Sequence, residues 1–480
     1  MIERLTRNVW NSGTLMTWGS LGIRMGGLAL LLPLVLTHLD AQEVLVWQML
    51  ATITMLINWS DFGFSPTFSR LIAFARGGGT LTELNASLPE KRRRLILPAP
   101  ENALTLSAVL GTQRVIYRRM IIFALLIGVI IGTSALWHPI AALIRPDSGW
   151  FAWSFTMAAA VLTLINGANV SILVGFDQVA LARRAEAMLG AGQIGATSLV
   201  VLAGGGLPAI VGCYAFWTIP LYLTNRHNVR MLSANLAPEQ QFDRHVFAVV
   251  WPAAWRSGIG ILMSTGIIQA SGLAYAQIAS APSAAAYLLA LRIFTAISQI
   301  SQAPFYSRLP AMAHARGKKH YAEVATLAKR GMAMAHWTFV VGALGAAASM
   351  PLVLQWIKSS VQWPPLLFIS LLALAFFAER YGAMHMQIYS LTNHIIWHLV
   401  NGVTGSTMIL LFFIMFAHVG IVAMPISMLI SYITIYSLYS SFLSIRVLNV
   451  NRFSFERKTT LMPMGVFLTG LFVLIVLQPH

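Results

Sequence analysis

The 480-residue chain is 57 % hydrophobic and 10 % charged, where a soluble globular domain carries about 25 % charged residues. That excludes a soluble protein and points to an all-α polytopic membrane protein. Thirty-two Lys and Arg against 15 Asp and Glu leave a formal charge of +17, but no soluble segment is long enough to fold as a basic domain, so no nucleic acid is expected as a partner.

Apolar windows of about 20 residues, enough to cross a hydrocarbon core of ~30 Å, predict spans at 13–37, 43–65, 119–137, 151–173, 187–206 and 208–224. A second set follows at 247–275, 282–305, 331–356, 365–387, 395–417 and 420–442, with a thirteenth at 461–477. Arg24 interrupts the first apolar run and no small-residue cleavage site follows it, so that helix is expected to stay as a span. A turn at Gly204-Gly205-Gly206 separates the fifth span from the sixth, and the lone Cys213 reads as a packing residue. The domains expected are a six-helix bundle over 1–224, a cytoplasmic linker over 225–246, a second six-helix bundle over 247–445, and a tail over 446–480 carrying one extra C-terminal helix.

The stretch Pro66-Thr67-Phe68-Ser69-Arg70-Leu71 recurs 238 residues on as Pro304-Phe305-Tyr306-Ser307-Arg308-Leu309, and both copies run on to Arg-Gly, at Arg76-Gly77 and Arg316-Gly317. Half of 480 is 240, so the chain reads as two copies of one unit. Because six is even, the copies enter from the same side, which makes a parallel repeat around a central cavity. Each motif then ends the second helix of its half. Pro66 and Pro304 are expected as helix stops, and Arg70 and Arg308 as headgroup anchors.

With the N-terminus cytoplasmic, the segments 1–12, 66–119, 174–186, 225–246, 306–330 and 446–458 hold 26 of the 32 basic residues. The positive-inside bias sets this orientation. The longest loop, 66–118, contains Lys91-Arg92-Arg93-Arg94 and is expected to run along the lipid surface. Asn85-Ala86-Ser87 is a sequon on the cytoplasmic side and should be silent.

Ionisable residues inside spans are Arg24, Arg256, Arg292 and the adjacent Glu379-Arg380, with Asp61 at the end of the second span. A charge at bilayer depth costs at least ~2.5 kcal/mol, so such residues face a partner or a cavity. Once Glu379 and Arg380 neutralise each other through neighbouring helices, a positive set remains. It favours an anion, and a phosphate or diphosphate suits the planar guanidinium fork. Glu379 and Asp61 are the candidates for ion coupling. Gln48, Asn58, Asn166, Asn169, Gln193, Gln269, Gln299, Gln302 and Asn401 either line a wet path or bond helices together.

Other apparent motifs carry little. Gly190-Ala191-Gly192-Gln193-Ile194-Gly195 fits a dinucleotide pattern but lies inside a span with no strand before it, so it reads as helix packing. His394 and His398 are four apart, with His385 near, which would permit a metal pair on a helix, but no further ligand or HExxH glutamate stands close by and no phosphate-loop sequence occurs, so no metal or cofactor is expected.

The run Arg24…Pro33-Leu34, then Asp61-Phe62-Gly63-Phe64, Arg70 and Arg76-Gly77, resembles the N-terminal part of Wzx-type polysaccharide flippases of the multidrug/oligosaccharidyl-lipid/polysaccharide exporter superfamily. Ala285-Ala286-Tyr287-Leu288-Leu289-Ala290-Leu291-Arg292-Ile293 resembles their eighth helix, and Gly175-Phe176-Asp177-Gln178 with Ala182-Arg183-Arg184 their fourth-to-fifth-helix turn. The resemblance covers roughly residues 10–445. It implies two six-helix bundles around a cavity open to each side in turn. It also implies transport of an undecaprenyl-diphosphate-linked oligosaccharide across a bacterial inner membrane, with polysaccharide polymerase and glycosyltransferases as neighbours. The family's cationic cavity residues carry over to Arg24, Arg292 and Arg256; the thirteenth span departs from the family's twelve or fourteen.

Two other classes stay open. A multidrug cation exporter of the same superfamily would need an embedded carboxylate, which is scarce here. A membrane enzyme of polysaccharide assembly would need a substantial exoplasmic loop, and those loops are only about six to thirteen residues.

Overall fold

The computed structural model describes residues 13–59, 61–77, 105–234, 242–392 and 396–477, and all regular structure among them is helical. Two compact units divide the chain, residues 1–258 and 259–480.

The first unit opens with α1 (Gly13–His38), α2 (Ala41–Trp59) and a short α3 (Phe64–Arg76). Next come α4 (Leu106–Ile127), which continues through a π-helical turn into α5 (Thr133–Ala141), then α6 (Pro146–Gly175) and α7 (Val179–Leu202). The unit ends with α8 (Leu207–Phe216), α9 (Thr218–Ser233) and most of α10 (Arg244–Ile261). Its best-buried cluster joins Phe64, Phe68 and Ile72 of α3, Val109 and Tyr117 of α4, and Val246, Val250 and Ala254 of α10. That packing explains why the division falls within α10: its first turns are held by α3 and α4.

The second unit contains α11 (Ile267–Ile278), α12 (Ala281–Tyr306), a short α13 (Leu309–Gly317), α14 (Tyr321–Trp356) and α15 (Leu366–Ser390). It continues with α16 (Trp397–Val419), α17 (Ala423–Ser431), α18 (Leu438–Leu448), α19 (Arg452–Glu456) and α20 (Met462–Leu477). Phe467 of α20 is fully buried against Phe339 of α14 and Phe377 of α15. The extra C-terminal helix is therefore packed into this unit.

Among the described residues, eleven continuous helical segments are long and apolar enough to cross a membrane. One of them, Trp397–Leu448, has 52 residues, about 78 Å of helix against a ~30 Å core. It turns back at Gly420, where φ is 58°, and α16 packs along α17. Counted as two arms, and with the 19-residue α2, it accounts for the thirteen hydropathy windows.

Several helices outrun their windows. The third span begins at Leu106 and not at 119, the fifth at Val179 and not at 187, and the ninth at Tyr321 and not at 331. Arg114, Arg118, Arg119, Arg183, Arg184, Lys329 and Arg330 therefore ride on helical turns and not in loops. Hydropathy reports the lipid-matched stretch, while backbone hydrogen bonding continues through any helix-compatible residues. The Lys91–Arg94 run and the Asn85 sequon lie outside the described residues.

Neither motif proline stops a helix. Pro66 sits in the first turn of α3, where its missing N–H is not needed, and Pro304 lies in the last turn of α12. The break after α2 is made instead by Phe62 and Gly63 at φ 48° and 75°. A Cβ on Gly63 would stand 2.6 Å from that of Ser257 in α10. In both units a span, a turn and a short helix follow one another; Arg70 and Arg76 lie on α3, whereas Arg308 stands in the turn before α13 and Arg316 lies on α13.

Candidate functional site

The small-residue-rich faces of α1 and α7 pack closely, with Ile194 of α7 against Gly27 of α1. That contact sets Arg24 beside Glu186: Nη2 lies 2.8 Å from Oε1. The other carboxylate oxygen accepts from Arg183 Nη1 at 2.7 Å, one turn back on α7. Arg24 keeps 60 % of its side chain exposed and Glu186 keeps 26 %. Two guanidinium groups thus share one carboxylate. The hydropathy windows missed Glu186 because they place it in a loop before the fifth span, although it lies on α7.

Arg256 is half-buried on α10 in the first unit, its guanidinium 5.6 Å from the Trp255 ring centroid. Arg292 lies half-buried on α12 in the second unit, beside Leu288, Leu289 and Leu291, which are buried.

Asp61 sits in the turn between α2 and α3. Its Oδ2 accepts from the Ser65 backbone N–H at 2.9 Å and its Oδ1 from the Tyr117 hydroxyl at 2.7 Å. It caps α3 and ties it to α4. Burial pushes its carboxyl above the usual aspartate range, against the pull of these two hydrogen bonds.

Glu379 and Arg380 neutralise each other directly and not through neighbouring helices. Arg380 Nη2 donates to both Glu379 oxygens, at 3.1 and 2.9 Å, and Nη1 donates to Gln302 Oε1 of α12 at 2.8 Å. Adjacent helical residues point apart, but the long arginine side chain folds back far enough to close the pair. Arg380 is buried.

Several of the polar residues read from the sequence bond helix to helix. Asn225 donates to Asn166 at 2.9 Å, Gln193 to the Tyr214 carbonyl at 2.7 Å, and Asn401 to the Gly260 carbonyl at 3.1 Å. Gly192, in the dinucleotide-like run, lies inside α7 and faces the Trp217 ring. His385 is buried next to Glu456, an acid that sequence reading passed over because it stands in the basic stretch before the thirteenth window. His394 lies outside the described residues.

No family model matches the sequence, and no curated protein matches it. Solved structures do. A multidrug resistance MATE family transporter of the MOP superfamily, in an inward-facing conformation, aligns with TM-score 0.65 at 11% identity over 92% of this chain and 99% of its own. The lipid II flippase MurJ, in an inward closed conformation, aligns with TM-score 0.54 at 11% identity over 96% and 98%. The MATE transporter ClbM in complex with Rb+ aligns with TM-score 0.53 at 12% identity over 93% and 97%. The chain is a multi-pass membrane protein with the fold of the MOP-superfamily transporters.

Proposed function

We propose that this protein carries an undecaprenyl-diphosphate-linked oligosaccharide from the inner to the outer leaflet of a bacterial inner membrane by alternating access, as a step in surface polysaccharide assembly. The observation that carries this reading is the charge balance at Arg24. Arg24 and Arg183, both on candidate spans, share the single carboxylate of Glu186, so one positive charge is left over. A surplus charge on a span calls for an anion. The diphosphate of a lipid-linked sugar offers the paired oxygens that a guanidinium fork binds best, while its polyprenyl chain stays in lipid.

Arg24, Arg292 and Arg256 are the residues we assign to the diphosphate. Release on the far side requires the outward form to bind it less tightly, because a ligand shifts an equilibrium only through differential affinity. Coupling to a counter-ion through Glu379 or Asp61 would require their contacts to Arg380, or to Ser65 and Tyr117, to open.

The fold is shared with multidrug resistance transporters, which keeps an exporter of organic cations as the second reading. Such an exporter needs an embedded carboxylate free to meet its cargo. Asp61, Glu186 and Glu379 each already hold donors from the chain, which favours the anionic cargo.

The test is Arg24→Ala and Arg292→Ala, singly and together, read by surface-glycan staining alongside membrane abundance. Export should be lost with the protein still inserted, and Lys at either position should restore it only in part, because it lacks the bidentate fork. Normal export by a stable double variant would end the proposal.

A further inference from the structure

Glu186 occupies the place of a bridging anion. Its two oxygens are divided between guanidinium groups on different helices, Oε1 at 2.8 Å from Nη2 of Arg24 on α1 and Oε2 at 2.7 Å from Nη1 of Arg183 on α7. One carboxylate thus spans the gap between the two arginines. The paired oxygens of a diphosphate would bridge the same two forks in the same way.

The bridge is open to exchange. Arg24 keeps 60 % of its side chain exposed, Arg183 31 % and Glu186 26 %, and an ion pair this exposed adds little to stability. The helices do not depend on it to stay together. Ile194 of α7 lies where a Cβ on Gly27 would stand, and Gly190 of α7 faces Ile23 of α1, so the two helices meet closely through apolar contacts. The polar bridge can therefore open while α1 and α7 remain packed.

Charge decides which anion the gap prefers. Arg24 and Arg183 carry two positive charges, of which Glu186 neutralises one. A diphosphate that joins a lipid to a sugar carries one negative charge on each phosphate and matches both arginines. Carboxylate and diphosphate cannot share the gap, because that would set like charges in contact. Each must displace the other.

We propose that Glu186 is an internal stand-in for the diphosphate of the cargo. It bridges Arg24 and Arg183 in the empty carrier, turns aside when a diphosphate takes both guanidinium groups, and returns to expel it. The inference rests on the diphosphate reading given above, to which it adds Arg183 as a second arm of the clamp and Glu186 as the group that limits its affinity.

Two consequences follow from the competition. Between cycles the carboxylate keeps both arginines paired, where a cation left alone on a span would be costly. During release it takes back part of the binding energy, so the bound diphosphate leaves faster. Little movement is needed. Glu186 lies one turn after Arg183 on the same helix, and rotation of its side chain is enough to open or close the bridge.

Binding and translocation, measured side by side on the full-length protein, test the proposal. The binding probe is farnesyl diphosphate, titrated calorimetrically in detergent; translocation is that of a polyprenyl-diphosphate-linked oligosaccharide in proteoliposomes. Glu186→Gln should bind the probe about tenfold tighter or more, since a competing charge is removed, yet translocate more slowly than the wild type at saturating lipid. Adding Arg183→Ala should cancel the gain in affinity. A bridge with only a structural role would instead lose binding and translocation together. Glu186→Asp keeps the charge, but its shorter arm cannot span both arginines, so its affinity should shift in the same direction; it serves if Glu186→Gln does not insert. Affinity at or below the wild-type value in the inserted variants, a gain that survives without Arg183, or tighter binding with undiminished translocation would overturn the proposal. The diphosphate reading itself fails on a different result, namely probe binding by the wild type that Arg24→Ala leaves unchanged.

Discussion

Asp61 illustrates how a single side chain reads one way in sequence and another in place. By depth it is a candidate for ion coupling; in the fold it accepts from Ser65 of α3 and Tyr117 of α4 and ties those two helices together. Asp61→Ala leaves the buried Tyr117 hydroxyl without its acceptor and should cost about 1–3 kcal/mol in thermal unfolding in detergent. Adding Tyr117→Phe should recover part of that loss, since neither partner is then left unsatisfied. Additive losses would mean that the two groups do not act as a pair. Arg24 was legible in the sequence because a charge interrupts an apolar run. Its partner Glu186 was not, since the pairing joins α1 to α7 across 162 positions and no local pattern encodes it.

At the scale of elements, the spans were legible because crossing lipid demands a long apolar stretch, and composition records that demand directly. Their ends were not, because helices continue into basic turns that hydropathy excludes. Close packing between helices is equally hidden. On α16, a Cβ at Gly405 would stand 2.5 Å from the Met263 carbonyl oxygen in the π-helical turn after α10. Backbone cannot step aside as a side chain can. Gly405→Ala should therefore push α16 away from that turn and cost about 1–3 kcal/mol, seen as a lower unfolding temperature and faster proteolysis. An unchanged unfolding temperature would show that the turn yields.

For the whole molecule, the internal repeat was visible as one short motif, which in the first unit lies on α3 after the turn and in the second begins in the last turn of α12 and runs through the turn into α13. The motif's prolines misled about where the break falls, because a proline is tolerated in a first or last helical turn as well as beyond it. The basic residues predict that the N-terminus and both motifs face the cytoplasm. In a chain with Cys213 replaced by Ser, a single cysteine at Ser87 should be shielded from an impermeant thiol reagent added outside, and one at Lys358 should react. The reverse pattern would invert the topology.

The central claim is that the cargo is a lipid-linked diphosphate. The most direct measurement is translocation of a polyprenyl-diphosphate-linked oligosaccharide in proteoliposomes, followed by its exposure to a glycan-cleaving enzyme added to one side. The wild type should move the lipid well above protein-free vesicles, and the Arg24→Ala, Arg292→Ala double variant should be slower by about tenfold or more, as expected for lost charge-assisted hydrogen bonds. A wild type no faster than protein-free vesicles, or a folded double variant as fast as the wild type, would contradict the account.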